Sequence, residues 1–314
     1  MSNFVKYSRL MLSCAVPDIA MAARYEKERA VDHLKDVQAS LVGIDVATNS
    51  FTMRILDRKA FGDYIAGEAA RFWLASMFSL VRASQSEEKS AAWQVIELYY
   101  AAYYAAHFVI RITGQSISQM DSAAANQVQR NNLTGTPFRP NAGLYKLEYK
   151  DLDNVRFVPV PKGGGSHKTA WASWESTITE LLSHTTEDIS EYFEQSISLI
   201  EHQKRISPGS YNAPSDIRAE INYQFKGQLW PFEERPKRYI EKINAMVLSS
   251  DKKISGGATQ PEALIASAKY IIYLAHSLVD SSVKRYPKSI LNMLHQKHLA
   301  SYSSALEKLS GSEN

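Results

Sequence analysis

The sequence predicts an all-α protein: a helical bundle with a short β-hairpin-like insertion and a C-terminal helical extension. Three observations predict it. The stretch Ala92–Thr113, AWQVIELYYAAYYAAHFVIRIT, carries no formal charge between Glu97 and Arg111. Apolar residues recur at helical spacing along most of the remaining chain. Strand-like alternation is confined to LYKLEY and VRFVPVP, separated by KDLDN.

The central stretch is the firmest element. Ala101, Ala102, Ala105 and Ala106 form pairs four apart, and Tyr99, Tyr100, Tyr103 and Tyr104 do the same. Residues four apart share a helix face, so alanine and tyrosine stripes run side by side. A helix apolar all round is a buried one. The run is too short for a bilayer, which needs roughly 20 apolar residues, and buried tyrosine hydroxyls need partners. Ser90 is the expected N-cap.

Composition narrows the class. The chain has 314 residues, with 45% apolar and 22% charged content, ordinary values for a folded globular protein. A net charge of +3 gives no whole-molecule case for nucleic-acid binding, so local patches must carry any such case. The single cysteine, Cys14, excludes a disulfide framework and a cysteine-based zinc site, and points to a reducing cytoplasm. The N-terminal apolar patch is followed closely by Asp18 and makes a poor signal peptide.

In chain order, residues 1–55 form an N-terminal helical or extended segment, in which RYEKERAVDHLKDVQ reads as an exposed, oppositely charged helix. Residues 56–232 form the bundle, with the insertion at 116–166. Its first helix spans 56–84 and pairs with the central one across SQSEEKS as a helical hairpin. After Lys162–Gly165 comes a helix with Trp171, Trp174, Ile178 and Leu181 on its core face, then EDISEYFEQSISLIEHQKR. The glycine run reads as a mobile linker, because the spacing of a P-loop is missing. Next, Ser215 or Asp216 caps a helix that buries Ile217, Ile221 and Phe225 and ends at Gly227. Residues 233–314 are the C-terminal extension, helical again.

Chemistry is sparse. The eight histidines form no HExxH, and GxSxG is missing. His295 and His298 read as an exposed pair without a third metal ligand, so neither metal nor cofactor is expected. One constellation stands out: Arg218 and Asn222, four apart on one face, with Tyr223 beside them at the head of a helix. Arginine binds phosphate bidentately. The competing reading pairs Arg218 with a buried carboxylate such as Glu97. His167, in GSHKTAW, supplies a base if its loop folds onto Arg218. His107, near the end of the central helix, reads first as a satisfied core histidine. Tyr103 belongs to the tyrosine stripe beside it.

The order of parts, a YYAAYYAAH helix, a variable insertion and then a polar helix start with arginine, resembles the HEPN superfamily over residues 56–230. These small helical bundles are associated with prokaryotic toxin–antitoxin, CRISPR and phage-defence systems. The family's hallmark is an arginine, often followed by a polar residue, and a histidine after four to six intervening positions. It serves metal-independent RNA cleavage across a dimer. On this chain the arginine is Arg218, Ala219 follows it, and Tyr223, Gln224 and Phe225 fill the histidine positions. The resemblance implies a cytoplasmic homodimer or complex subunit, without cofactor or membrane. It would bind RNA or a partner protein of its system through the Arg218 face, with Asn222, Tyr103 and His107 as binding residues, rather than cleave efficiently. An active ribonuclease toxin using Arg218, His167 and Tyr223 is the alternative. A scaffold whose aromatic helices dock a larger partner is the third.

Overall fold

Five short segments pair into one antiparallel sheet, so the protein is mixed α/β and the all-α expectation is corrected. The computed structural model describes residues 12–85, 90–161, 165–183, 201–202, 213–233, 237–252 and 258–310. The strands are β1 (Ala39–Asp45), β2 (Ser50–Ile55), β3 (Gln115–Met120), β4 (Gly143–Glu148) and β5 (Asn154–Pro159), in the order β1-β2-β5-β4-β3. The expected hairpin is real, with Leu147 opposite Phe157. It is the middle of a sheet, though, because β2 adds to it with Phe51 opposite Phe157. Phe51, Met53, Leu147 and Phe157 are buried, and the Phe51 and Phe157 rings stack at 4.6 Å. A register shift between Leu41 and Gly43 interrupts the alternation that would have marked β1.

Residues 24–38, expected as an exposed helix, contain only a 3₁₀ turn at Ala30–His33. Ala30, Val31, Leu34 and Val37 turn inward, so this segment is a covering of the core rather than a solvated rod.

The helices are α1 (Pro17–Ala20), α2 (Arg58–Ser84), α3 (Ala91–Ile112), α4 (Ser122–Arg130), α5 (Gly165–Ser183), α6 (Pro214–Tyr223), α7 (Lys237–Leu248), α8 (Gln260–Arg285) and α9 (Ile290–Ser310). Side chains start the long ones where capping chemistry requires. Asp57 accepts the Ala60 N–H at the head of α2, Ser90 accepts that of Trp93 for α3, and Thr259 and Glu262 form a capping box for α8. The buried Lys269 ammonium donates to the Met246 carbonyl at 2.6 Å and tethers the end of α7.

α3 is the hub. It packs against α2, α5, α6, α7, α8 and β3, and its alanines let those backbones come close. Only Trp93, Glu97, Tyr100 and Tyr104 of this helix stay partly open. Among the described residues, no helix is long and apolar enough to cross a membrane. His295 is not the exposed residue expected: it is buried, with Nδ1 2.8 Å from the Tyr302 hydroxyl, and His298 meets Phe78 edge-on.

One buried ion pair joins the layers. The Arg111 Nε donates to Glu68 Oε2 at 3.0 Å, and both side chains are buried. Arg111 also donates to His107 Nδ1 at 2.8 Å and to the Ile117 carbonyl of β3 at 3.1 Å, while its guanidinium lies 4.1 Å over the Phe72 ring. The other Glu68 oxygen accepts the Ala30 N–H at 3.0 Å. Every donor so placed offsets part of the desolvation cost. Nearby, a side chain at Gly67 would run into the Glu26 carbonyl, which Arg71 holds from the next turn at 2.7 Å.

Two stability measurements check this packing by urea denaturation. Arg111→Leu strands the Glu68 carboxylate and should lower the unfolding free energy by about 3–5 kcal/mol. Adding Glu68→Leu should recover part of that loss. Gly67→Ala should cost about 1–3 kcal/mol, because backbone must move to admit the methyl group.

Candidate functional site

α6 opens at Pro214, whose fixed φ suits the first turn. Ala213 precedes it, and neither Ser215 nor Asp216 caps the helix as expected. The helix buries Ile217 and Ile221, and that rotation carries Arg218 against α3. Its guanidinium carbon lies 5.8 Å from the Tyr99 ring, 5.7 Å from Tyr100 and 5.4 Å from Tyr223, within cation–π reach. The expected carboxylate partner is not there: Glu97 meets Arg82 at 3.6 Å, and Arg218 makes no ion pair among the described residues. Its Nε is buried and unbonded. A guanidinium screened by rings and left without an acid has donors with which it can receive an anion.

The same site receives His167. α5 begins at Gly165, with φ of +60°, and Ala170, Trp171 and Trp174 bury its inner face. That sets His167 between α3 and α6. Its Nε2 stands 3.2 Å from Arg218 Nη2, its Nδ1 2.7 Å from the Tyr99 hydroxyl, and its ring stacks on Tyr103 at 4.3 Å. The tautomer follows from the partners. A guanidinium only donates, so Nε2 holds the lone pair and Nδ1–H donates to Tyr99. The Tyr99 oxygen also accepts the Trp171 indole N–H at 3.3 Å.

Burial, reinforced by the Arg218 charge, pushes the His167 pKa down to about 4. The imidazole is therefore neutral near pH 7, a base with its lone pair aimed at Arg218. Burial raises the Tyr99 hydroxyl well above its ordinary value, and it raises Tyr103 as well. On the far side of Tyr103, His107 meets that ring edge-on at 4.6 Å. Burial and the Arg111 charge hold His107 well below its usual pKa. His107 is a satisfied core residue, joined to the site only through Tyr103.

Of the residues the sequence singled out, Arg218, His167, Tyr103 and Tyr223 come together. Asn222 is half-buried one turn beyond Arg218. Tyr223 is 67% exposed and covers one side of the guanidinium. Sequence reading missed Tyr99 as His167's partner and Trp171 as a donor to Tyr99, although the need of buried tyrosines for hydrogen bonds pointed to such contacts. It misplaced Phe225, which is 51% exposed, beyond the end of α6. Gly227 does not end that helix but sits in the following loop with φ of +96°. Gly163 and Gly164, and most of EDISEYFEQSISLIEHQKR, lie outside the described residues. Among the described residues, no group of three or more His, Cys, Asp or Glu could hold a metal ion. No family model, curated protein or solved structure matches the chain.

The tautomer and its charge state are open to measurement. In ¹⁵N-resolved NMR at neutral pH, His167 should show a protonated Nδ1 and a bare Nε2. It should titrate near 4. Arg218→Gln removes the smaller of the two causes, so the titration should move partway back toward the ordinary histidine range.

Proposed function

We propose that the chain binds RNA by seating a backbone phosphate on Arg218 and cleaves it slowly, without a metal ion, using His167 as general base. The observation that carries this reading is the 3.2 Å contact between Arg218 and His167. An anion-binding cation and a neutral imidazole share one spot, and the resemblance to HEPN proteins supports giving that spot RNA.

The chemistry runs as follows. The phosphate draws the Arg218 N–H donors toward its oxygens and uncovers the Nε2 lone pair. The anion also offsets the cation that depresses His167, so the imidazole becomes a stronger base as substrate binds. Nε2 takes the proton of the ribose 2′-hydroxyl, whose oxygen attacks phosphorus. The 5′-oxygen departs with the proton of the Tyr223 hydroxyl. The products are a 2′,3′-cyclic phosphate and a free 5′-hydroxyl. Arg218 stabilises the charge that builds on phosphorus. The setting that fits this chemistry is a prokaryotic defence or toxin–antitoxin system in a reducing cytoplasm, with the chain as a homodimer or complex subunit.

A second reading, an RNA-binding subunit that does not cleave, is favoured by one observation. The free protein's guanidinium and imidazole occupy each other, and burial first and the Arg218 charge second keep the imidazole a weak base.

The two separate in one set of assays. Arg218→Ala should weaken RNA binding about tenfold or more and cut its salt dependence by about one charge. His167→Ala should retain binding and lose cleavage by about 10²–10⁴-fold. Cleavage should survive EDTA and fall as pH drops from about 6.5 toward about 4, because protonated His167 cannot accept a proton. RNA bound by the parent protein but never cut, even at high enzyme concentration, leaves the binding subunit. Unchanged binding in Arg218→Ala rejects both.

A further inference from the structure

α3 shows solvent a single line of residues. Trp93, Glu97, Tyr100 and Tyr104 stay partly open and succeed one another at helical spacing along one face. From Trp93 to Tyr104 this line is about 16 Å long. Arg218 lies over its middle, at Tyr100. Glu97, its one acid, is engaged by Arg82.

Each end carries an aromatic group. At the Trp93 end, a hook follows α6. Trp93 meets Trp230 edge-on at 5.5 Å, and Trp230 stacks parallel to Phe232 at 5.7 Å. Phe225 stands edge-on to both. Trp93 is 47% exposed, Phe225 51% and Phe232 67%, an unusual concentration of open rings. The hook is braced from within. The Glu233 carboxylate accepts the N–H groups of Gln228 and Trp230 at 2.9 and 2.8 Å, and the Trp230 indole donates to the Ile221 carbonyl at 2.8 Å. Phe225 and Gln228 are held at φ of 52° and 58°, a region bulky residues avoid. Such strain persists only where surrounding contacts over-determine it. The rings are thus fixed outward.

At the other end, Tyr104 lies 6.1 Å from Phe72. Both line a cleft of about 400 Å³ together with Arg29, Arg71 and Arg111. Glu68 is the one acid of that lining, and Arg111 engages it. Arg29 is held by Asp32 and Arg111 by Glu68, whereas Arg71 donates to the Glu26 and Glu28 carbonyls and makes no ion pair among the described residues. The available cations are therefore Arg218 over Tyr100 and Arg71 beside Phe72 and Tyr104, set between and beside the rings.

We propose that this exposed line of α3 is a track for single-stranded RNA. Bases stack on the Trp93–Trp230–Phe232 hook at one end and on Tyr104 and Phe72 at the other, and Arg218 and Arg71 take the phosphates between and beside them. The inference rests on the RNA reading of Arg218 and adds the form of the strand and its path. Unpaired bases offer a face to stack and a phosphate to pair, which is what rings with cations between and beside them accept. A duplex keeps its bases stacked on one another. Rings and arginines also serve protein interfaces, so capture of a protein by the hook is an outcome that counts against the track.

Fluorescence anisotropy with a labelled oligoribonucleotide of about 16 nucleotides, single-stranded or annealed to its complement, tests the track. Trp93→Ala, Phe225→Ala/Phe232→Ala and Tyr104→Ala should each weaken single-strand binding about tenfold with an unchanged salt slope, since stacking is uncharged. Trp93→Phe, which keeps a ring, should restore most of the loss, and circular dichroism should show folded variants. The duplex should bind more weakly than the single strand. If the aromatic variants bind as the parent does while Arg218→Ala binds more weakly, the track is wrong and the Arg218 site stands. Capture of a partner protein by the hook with RNA affinity unmoved would overturn the track in the same way. Equal affinity for duplex and single strand would also overturn it. If the parent binds no RNA, the Arg218 reading falls and the track with it.

Discussion

The Glu68–Arg111 ion pair is the constraint on which the rest of the architecture depends. Two opposite charges sit in the interior, where each alone would be costly. They are tolerable because almost every donor and acceptor is used. One Glu68 oxygen serves the backbone of the N-terminal segment and the other serves Arg111, which also reaches β3 and His107. Three parts of the chain, around Ala30, Glu68 and His107–Ile117, must be in register for this to hold. The pair therefore fixes α2 against α3 and both against the sheet.

From that fixed point the site grows along α3. His107 is bonded to Arg111, Tyr103 packs on His107, His167 stacks on Tyr103, and Arg218 meets His167. Each ring lies against the next, so the position of the guanidinium on α6 is set by contacts that begin in the core. The two Arg–His pairs differ in their surroundings. Arg111 has a carboxylate and two carbonyls, and its charge is spent. Arg218 has rings and one imidazole, and its charge remains available. That difference makes the second pair a candidate site and the first a structural bond.

Much of the helical architecture was legible in residue pattern. The tyrosine and alanine stripes of α3, the Ser90 cap and the three C-terminal helices announce themselves through spacing alone. The β4–β5 hairpin showed in its alternation. The sheet around it did not. β1 is broken by a register shift at Leu41–Gly43, and β3 is too polar to look like a strand. Arg111 was visible only as the end of a charge-free run, because nothing local marks Glu68, 43 residues earlier, as its partner. Phe225 was misread because a helical face was extended past the real end of α6.

The sequence by itself determined where the long helices form and which faces they bury, since those depend on neighbours within a few residues. It put a helix at residues 24–38 that does not form and gave no sign of α4. It also determined that Arg218 begins a polar helix start. Only the tertiary structure decided that Arg218 lacks a carboxylate, that His167 carries its proton on Nδ1, and that strands from both sides of the long helices join one sheet. Those outcomes rest on contacts between residues tens of positions apart. Hydrogen-bond direction and burial, which fix charge and tautomer, arise only when such segments are brought together.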